Sequence, residues 1–365
     1  MGDSELVPFH VEIHQAQLDD LHTRLDMTRW PTEPDGASWD YGIPLAHLKE
    51  LADHWRHRYD WRVHEARINK FPQYLTEIDG QPIHFLHVRS DRTDALPLLL
   101  THGWPSSMLE FESVIGPLTK DFHLVLPSLP GFAFSSPARE TGWTVPRIAR
   151  AWAELMRRLG YSRYGVHGGD WGALVSRELG RLRSDQVVGV HLTFLLSTPP
   201  DDPAALTEPE QARLGRLRQF AETGSGYRHI QATRPHTLAY GLTDSPVGLL
   251  AWIAEKFEEW TDTPVDRDSL LTNVMLYWLT RTAGSAARIY KDAADSLGPA
   301  QPSSTPTGIA LFPKEIGAPV RAFAERTDAI VRWTEFPRGG HFPAMEQPDR
   351  LAGDIRAFFG QVTRT

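Results

Sequence analysis

Residues 166–173 read Val166-His167-Gly168-Gly169-Asp170-Trp171-Gly172-Ala173, and this stretch decides the fold. Tyr164-Gly165-Val166-His167 has the character of a short buried strand, and the residues after Asp170 turn helical. Glycines at 168, 169 and 172 permit a tight strand-to-helix turn and close packing around residue 170. A turn of this kind lifts its middle side chain above a sheet, with the next backbone N–H facing the reacting atom. The middle side chain here is a carboxylate. Serine in its place would imply acyl transfer to esters or amides. A carboxylate acylates poorly but is a competent nucleophile at a strained or activated alkyl carbon. Its attack leaves an ester, and hydrolysing that ester needs a base. Capping the following helix is the plain structural use of such an Asp, but it leaves the paired glycines and the motifs below unexplained.

Working outward, Leu96-Pro97-Leu98-Leu99-Leu100 is a continuous apolar run suited to a strand buried on both faces. Helical, extended and helical patterns follow over 110–118, 122–126 and 144–159, and 188–192 is again extended. This alternation predicts an α/β fold with a mostly parallel sheet covered on both sides. It stops after His191-Leu192-Thr193-Phe194. Residues 197–306 carry helical patterns, among them 249–260 and 270–280, without a convincing strand. Strand character resumes at Gly308-Ile309-Ala310-Leu311 and at Ile330-Val331-Arg332-Trp333, and a last helix covers 348–359. The expected division is an extension over 1–75, a core in two parts over 76–196 and 307–365, and a helical lid over 197–306. In the extension, Leu18, Leu21 and Leu25, then Leu45, Leu48, Ala52 and Trp55, mark short one-sided helices that need a partner surface.

The base is sought near the end of such a chain. Phe336-Pro337-Arg338-Gly339-Gly340-His341-Phe342-Pro343 follows the last strand, and His341 is placed to take a proton from water. A carboxylate must fix its imidazole. Glu315, in Leu311-Phe312-Pro313-Lys314-Glu315, is favoured over Asp201 and Asp202 after the earlier strand, and over Glu335 on the strand entering the His loop. Leu100-Thr101-His102-Gly103-Trp104-Pro105 ends a buried strand, so the N–H of Trp104 joins that of Trp171 as an oxyanion hole. His102 reads as a brace for this loop. Pro105 keeps Trp104 extended, and the isomer of the bond between them is not legible in sequence. Trp104, Phe132, Trp171 and Phe342 suggest an apolar substrate pocket.

Together, His102-Gly103-Trp104-Pro105, Gly168-Gly169-Asp170-Trp171-Gly172 and Gly339-Gly340-His341-Phe342, with Thr28-Arg29-Trp30-Pro31 and Tyr59-Asp60-Trp61-Arg62 in the extension, carry a resemblance. The chain resembles the microsomal-type epoxide hydrolases of the alpha/beta-hydrolase superfamily over nearly its whole length. That implies an alpha/beta-hydrolase core, a helical lid and an N-terminal extension wrapping both. It also implies Asp170 as nucleophile, Glu315 as charge-relay acid and His341 as base. Two lid tyrosines would hold and protonate the epoxide oxygen, and by motif position they fall at Tyr227 and Tyr290. Tyr240 and Tyr277 also lie in the insert, Tyr277 within an apolar pattern suited to core. The implied partners are a hydrophobic epoxide and water, with no cofactor and no metal. A haloalkane dehalogenase would share the Asp and the His but would need N–H donors around a halide rather than paired hydroxyls. A serine hydrolase is disfavoured because Ser162 and Ser176 flank the turn, and a fold retained without catalysis would have lost Asp170, Glu315 or His341.

Composition narrows the remaining classes. With 365 residues, 41% apolar, the chain can bury a large core. Its 38 basic and 46 acidic residues give a net charge of −8, which offers no general attraction to nucleic acid or anionic lipid. The absence of cysteine excludes disulfides and thiolate chemistry. No apolar run approaches a membrane span and no leader pattern opens the sequence, so a soluble cytoplasmic protein without a membrane anchor is expected. Some relatives of the resembled family dimerise, so a homodimer is open, although the sequence carries no oligomer signal of its own.

Overall fold

The computed structural model describes residues 5–136, 138–196, 206–298, 301–317 and 319–364. A nine-stranded sheet forms its centre. In chain order the strands are β1 Val7–Pro8, β2 Gln73–Ile78, β3 Gln81–Val88, β4 Leu96–Thr101, β5 Phe122–Pro127, β6 Tyr164–Gly168, β7 Val187–Leu192, β8 Ser303–Leu311 and β9 Asp328–Glu335. Their order across the sheet is β1-β2-β3-β5-β4-β6-β7-β8-β9. The pairs from β5 to β9 are parallel, and β1, β2 and β3 add an antiparallel edge. The chain leaves β4 for β5 on one side and returns to β6 on the other. In sheets of this kind ligands bind at such a switch point, beyond the carboxyl ends of the strands. Leu98, Leu99 and Leu100 of β4 are fully buried, as the unbroken apolar run required.

The extension grips the insert as well as the sheet. Helix Gln15–Asp26 buries Leu18, Leu21 and Leu25, and helix Leu45–His57 buries Leu48, Leu51, Ala52 and Trp55. The Trp55 indole N–H donates to Met275 Sδ (3.2 Å), and the Tyr59 hydroxyl bonds Thr272 Oγ1 (3.0 Å). His54 pairs with Asp268 (2.7 Å) and Arg24 with Asp244 (2.9 Å). Two elements of the extension carry no legible signal. Helix Trp61–Ile68 has only eight residues and starts on Asp60, which accepts from the N–H of Arg62. β1 has two residues, and beside it Asn69 bonds both the N–H and the C=O of Val11.

The insert is helical over its described part, with long helices Pro246–Trp260 and Arg267–Thr280. β8 starts at Ser303, earlier than the resumption of strand character expected at Gly308. Pro306 lies at a register shift against β9, where its missing N–H is tolerated, and the apolar run that signals a strand begins only after it. No helix among the described residues is long and apolar enough to cross a membrane.

Beneath the sheet runs a buried polar chain. His167 Nδ1 meets His191 Nδ1 at 2.9 Å, His191 Nε2 meets Asp354 Oδ2 at 3.0 Å, and Thr334 and Arg332 donate to Asp354 Oδ1. Burial alone would raise the Asp354 carboxyl. The bonds from His191, Arg332 and Thr334 outweigh it and hold the group at about 2, against an ordinary 3.8. A carboxyl depressed in the folded state contributes stability that is complete above about pH 4 and is lost as pH falls through 2, here about 2 kcal/mol. Asp354→Asn should therefore cost about 3 kcal/mol at neutral pH, because His191 and Arg332 lose a buried partner. It should also flatten the stability profile between pH 4 and 2. Urea unfolding at pH 7 and pH 3 tests this, and a loss under about 1 kcal/mol would mean that the chain is dispensable.

Candidate active site

The turn between β6 and helix Asp170–Leu182 places Asp170 at φ +45°, a left-handed conformation that costs about 1–3 kcal/mol for a residue other than glycine. That strain presents the carboxylate to the mouth of the sheet. Its Oδ1 accepts from the N–H of Trp104 at 2.8 Å, and the N–H of Trp171 also bonds the carboxylate. The two expected N–H donors thus converge on residue 170. Gly103 is required for this approach, since a Cβ there would lie 2.2 Å from Asp170 Oδ1. The Trp104–Pro105 bond is cis.

His341 and Glu315 complete the cluster. His341 Nε2 stands 3.7 Å from Asp170 Oδ2, and its Nδ1 lies 2.7 Å from Glu315 Oε1. Glu315 is buried and accepts from the N–H of Gly317 at 3.2 Å. Glu335, the other candidate acid, sits on the surface, bonded to Trp333 and Arg213. Asp201 and Asp202 lie outside the described residues. Burial alone would lower the His341 pKa, but the charge and hydrogen bond of Glu315, with Asp170 and Glu110 nearby, raise it to about 9. Burial raises the Asp170 carboxyl, opposed by His341 and the two N–H donors.

Tyr227 and Tyr290 meet above the carboxylate. Their rings lie edge to face at 5.8 Å, and their hydroxyls interact with each other. The Tyr227 ring stacks on Trp104 at 5.0 Å, and the Tyr290 ring stands edge-on to Trp171 at 4.9 Å. Tyr290 also takes a hydrogen bond from the Trp171 indole. Both hydroxyls are pushed well above the ordinary tyrosine value, chiefly by burial, and so stay protonated as donors. Phe132 and Phe342 are each 1% exposed; the Phe132 ring makes T-shaped contacts with His102 and Tyr277, and the Phe342 ring stacks on Phe257.

Several supporting residues gave no signal of their role in sequence. Asn273 donates to the Pro105 carbonyl (2.8 Å) and Tyr277 to the Ser106 carbonyl (2.7 Å), so the lid helix Arg267–Thr280 pins the loop that carries Trp104. Tyr277 is core, as its apolar pattern suggested, yet its hydroxyl serves the loop. His102, whose role as a brace for this loop is read from the sequence, accepts from the N–H of Leu129 at Nε2 and holds the loop from the other side. Buried Glu110 accepts from the Ser106 hydroxyl at 2.6 Å, and burial lifts its carboxyl to about 7. Glu346 accepts backbone N–H bonds from Gly340 and Phe342 on either side of His341, and from Asp262 and Thr263 just after helix Pro246–Trp260 of the lid.

A parallel sheet with a carboxylate at its strand-to-helix turn, a histidine–glutamate pair facing it and a helical lid define a carboxylate-bearing alpha/beta-hydrolase. A family model described as alpha/beta hydrolase fold matches residues 96–228, and one described as epoxide hydrolase N terminus matches residues 6–111. A Stigmatella aurantiaca (strain DW4/3-1) protein provisionally named an epoxide hydrolase is 45% identical, covering 98% of this chain and 85% of its own. Epoxide hydrolase 1 of Sus scrofa is 35% identical over 98% of this chain and 89% of its own. The solved structure of Aspergillus niger epoxide hydrolase superposes with a TM-score of 0.92 at 35% identity, covering 99% of this chain and 97% of that one. The chain belongs to the epoxide hydrolase family of enzymes.

Proposed function

We propose that the protein converts hydrophobic epoxides and water to vicinal diols through an ester on Asp170. The observation that carries this reading is the Asp170 carboxylate, held on the Trp104 N–H with His341 at 3.7 Å on one side and the Tyr227–Tyr290 pair above it. Asp170 attacks an epoxide carbon and the C–O bond breaks toward the oxygen. A tyrosine hydroxyl gives that oxygen its proton, and the tyrosine is left as a phenolate. Forming the ester also removes the Asp170 charge, one of the charges that keep His341 protonated. With that charge gone the imidazolium gives up its proton, through water, to the phenolate, which becomes a hydroxyl again, and the neutral imidazole is free to act as a base. His341, held by Glu315, then takes a proton from water as the water oxygen adds to the ester carbonyl. The N–H groups of Trp104 and Trp171 stabilise the negative charge that develops there. Collapse of the tetrahedral adduct expels the diol, whose oxygen takes the proton of the newly added hydroxyl, and leaves the Asp170 carboxylate beside the His341 imidazolium of the resting site.

The Trp171 indole N–H is engaged by the Tyr290 hydroxyl, which leaves it less suited to receive a halide. This favours epoxide over haloalkane as substrate. Kinship with Epoxide hydrolase 1 and the matched N-terminal extension support the microsomal-type branch, a statement about sequence and not about location. We read 1–75 as the extension, 76–196 and 307–365 as the core and 197–306 as the lid, with the start of β8 moving the end of the lid to just before Ser303.

A single turnover of styrene oxide in oxygen-18 water, with enzyme in excess, tests the ester. The first diol should carry unlabelled oxygen from Asp170 and the label should enter the Asp170 carboxylate. Label appearing directly in the first diol would mean that water attacks the epoxide itself.

A further inference from the structure

Helix Pro246–Trp260 has an apolar face that packs into the lid, yet one lysine is buried on it. Lys256 is 5% exposed. Burying an ammonium costs several kcal/mol unless partners replace its water, so its surroundings demand a reason. Its Nζ pairs with Glu255 at 2.5 Å and lies 3.8 Å from Glu259. It also stands 5.1 Å from the centre of the Tyr227 ring and 6.0 Å from that of Trp260. The Glu255 and Glu259 side chains are 22% and 38% exposed against 6% for that of Lys256. Solvent therefore screens the carboxylates more than it screens the ammonium. What the ammonium meets in the dry interior is the π face of Tyr227, the same ring that stacks on Trp104 at the oxyanion loop. The helix ends on Trp260, whose carbonyl accepts from the His341 backbone N–H at 2.9 Å, so this helix touches both halves of the site.

We propose that Lys256 is a positioning and polarising residue for Tyr227, stabilising the negative charge left on that ring when its hydroxyl gives a proton to the opening epoxide. The inference rests on the reading of Tyr227 as a proton donor. A cation over an aromatic face is attracted by the electron density of the ring, and the attraction grows as the ring becomes a phenolate. The effect is thus larger in the transition state for ring opening than in the ground state, which is the condition for accelerating that step. Ester hydrolysis forms no charge on Tyr227. Lys256 should therefore act on the first half-reaction and leave the attack of water alone.

The test measures the rate at which styrene oxide alkylates Asp170, by rapid quench and intact mass, in the His341→Gln background where hydrolysis is blocked. Lys256→Met should slow adduct formation about tenfold, equivalent to about 1.4 kcal/mol. Lys256→Arg, which keeps the charge, should stay within about threefold of the parent. On a Tyr227→Phe background, which keeps the ring but removes the proton, Lys256→Met should add less than about twofold. An equal loss on both backgrounds would make Lys256 merely structural and overturn the proposal, as would an unchanged rate in Lys256→Met. A Tyr227→Phe protein that alkylates at the parent rate would instead overturn the underlying reading of Tyr227. Should Lys256→Met fail to fold, Lys256→Gln removes the charge while keeping a polar end and is read against the same outcomes.

Discussion

His341→Gln should abolish steady-state diol formation while the protein still consumes one equivalent of styrene oxide, leaving an adduct on Asp170. The expected fall in turnover is about 10³-fold or more, the scale seen when a member of a catalytic unit is removed. Glutamine fills similar space and can still donate toward Glu315, so the fold and the alkylation step should survive. What it lacks is a basic nitrogen 3.7 Å from the Asp170 carboxylate. The pH dependence sharpens the expectation. In the resting site the carboxyl groups of Glu315, Asp170 and Glu110 lie near His341, and with their help its pKa reaches about 9 despite burial. At neutral pH the imidazole is thus a cation that steadies the Asp170 carboxylate and cannot accept a proton. Alkylation removes one of those charges, lowers the histidine and creates the base only after the ester exists. Burial raises the Asp170 carboxyl, so alkylation should fall as acidification protonates that group. Adduct formation by His341→Gln should keep this acidic limb, moved upward because the stabilising imidazolium is gone. Adduct yield and diol yield, followed by intact mass and chromatography from pH 5 to 9, check both parts. Undiminished diol formation would remove His341 from the hydrolytic step.

The alternation of strands and helices, the nucleophile turn and the Glu315–His341 pair are legible because each rests on local chemistry. Glycine frees the turn at Asp170, an apolar run marks β4, and a His loop follows the last strand. What sequence hid is set by partners distant in the chain. Asn273 and Tyr277 sit in a helix whose buried residues run from Leu270 to Leu279, where nothing distinguishes a polar group aimed at the loop of Trp104 from one satisfied elsewhere. Glu110 and Lys256 look like ordinary solvated charges until tertiary packing buries them. Phe132 and Phe342 are proposed for the substrate pocket on apolar character, a property shared with rings that pack on Tyr277 or Phe257, as these two also do. β1 and β8 show the same limit for backbone. Two residues carry no period, and Pro306 interrupts a strand that the sheet accommodates by shifting register.

Gly172→Ala should be the most damaging single methyl in the protein's core. A Cβ at this position would lie 1.8 Å from the Thr101 carbonyl oxygen, 2.5 Å from its carbon and 2.8 Å from the His102 carbonyl oxygen. All three are backbone atoms at the end of β4, and no rotamer can move them. Thr101 pairs in register with Gly168, so the first turn of helix Asp170–Leu182 is pressed against the two central strands at the point where both become loops. Making room requires the helix to lift or the loop carrying Trp104 to retreat. Either motion separates the Asp170 carboxylate from the Trp104 N–H that holds it. Overpacking at a rigid site ordinarily costs about 1–3 kcal/mol, and a backbone collision places this change at or above about 4 kcal/mol. Gly360→Ala is the matching control. It lies inside helix Pro348–Val362 with nothing within 4 Å of the added methyl, where alanine is favoured over glycine by about 1 kcal/mol. Urea midpoints for the two proteins should therefore move in opposite directions. If Gly172→Ala folds with parent stability and alkylates normally, the contact between helix and strand cannot be what sets the geometry of Asp170. If it folds but does not alkylate, that contact orients the carboxylate more than it stabilises the fold.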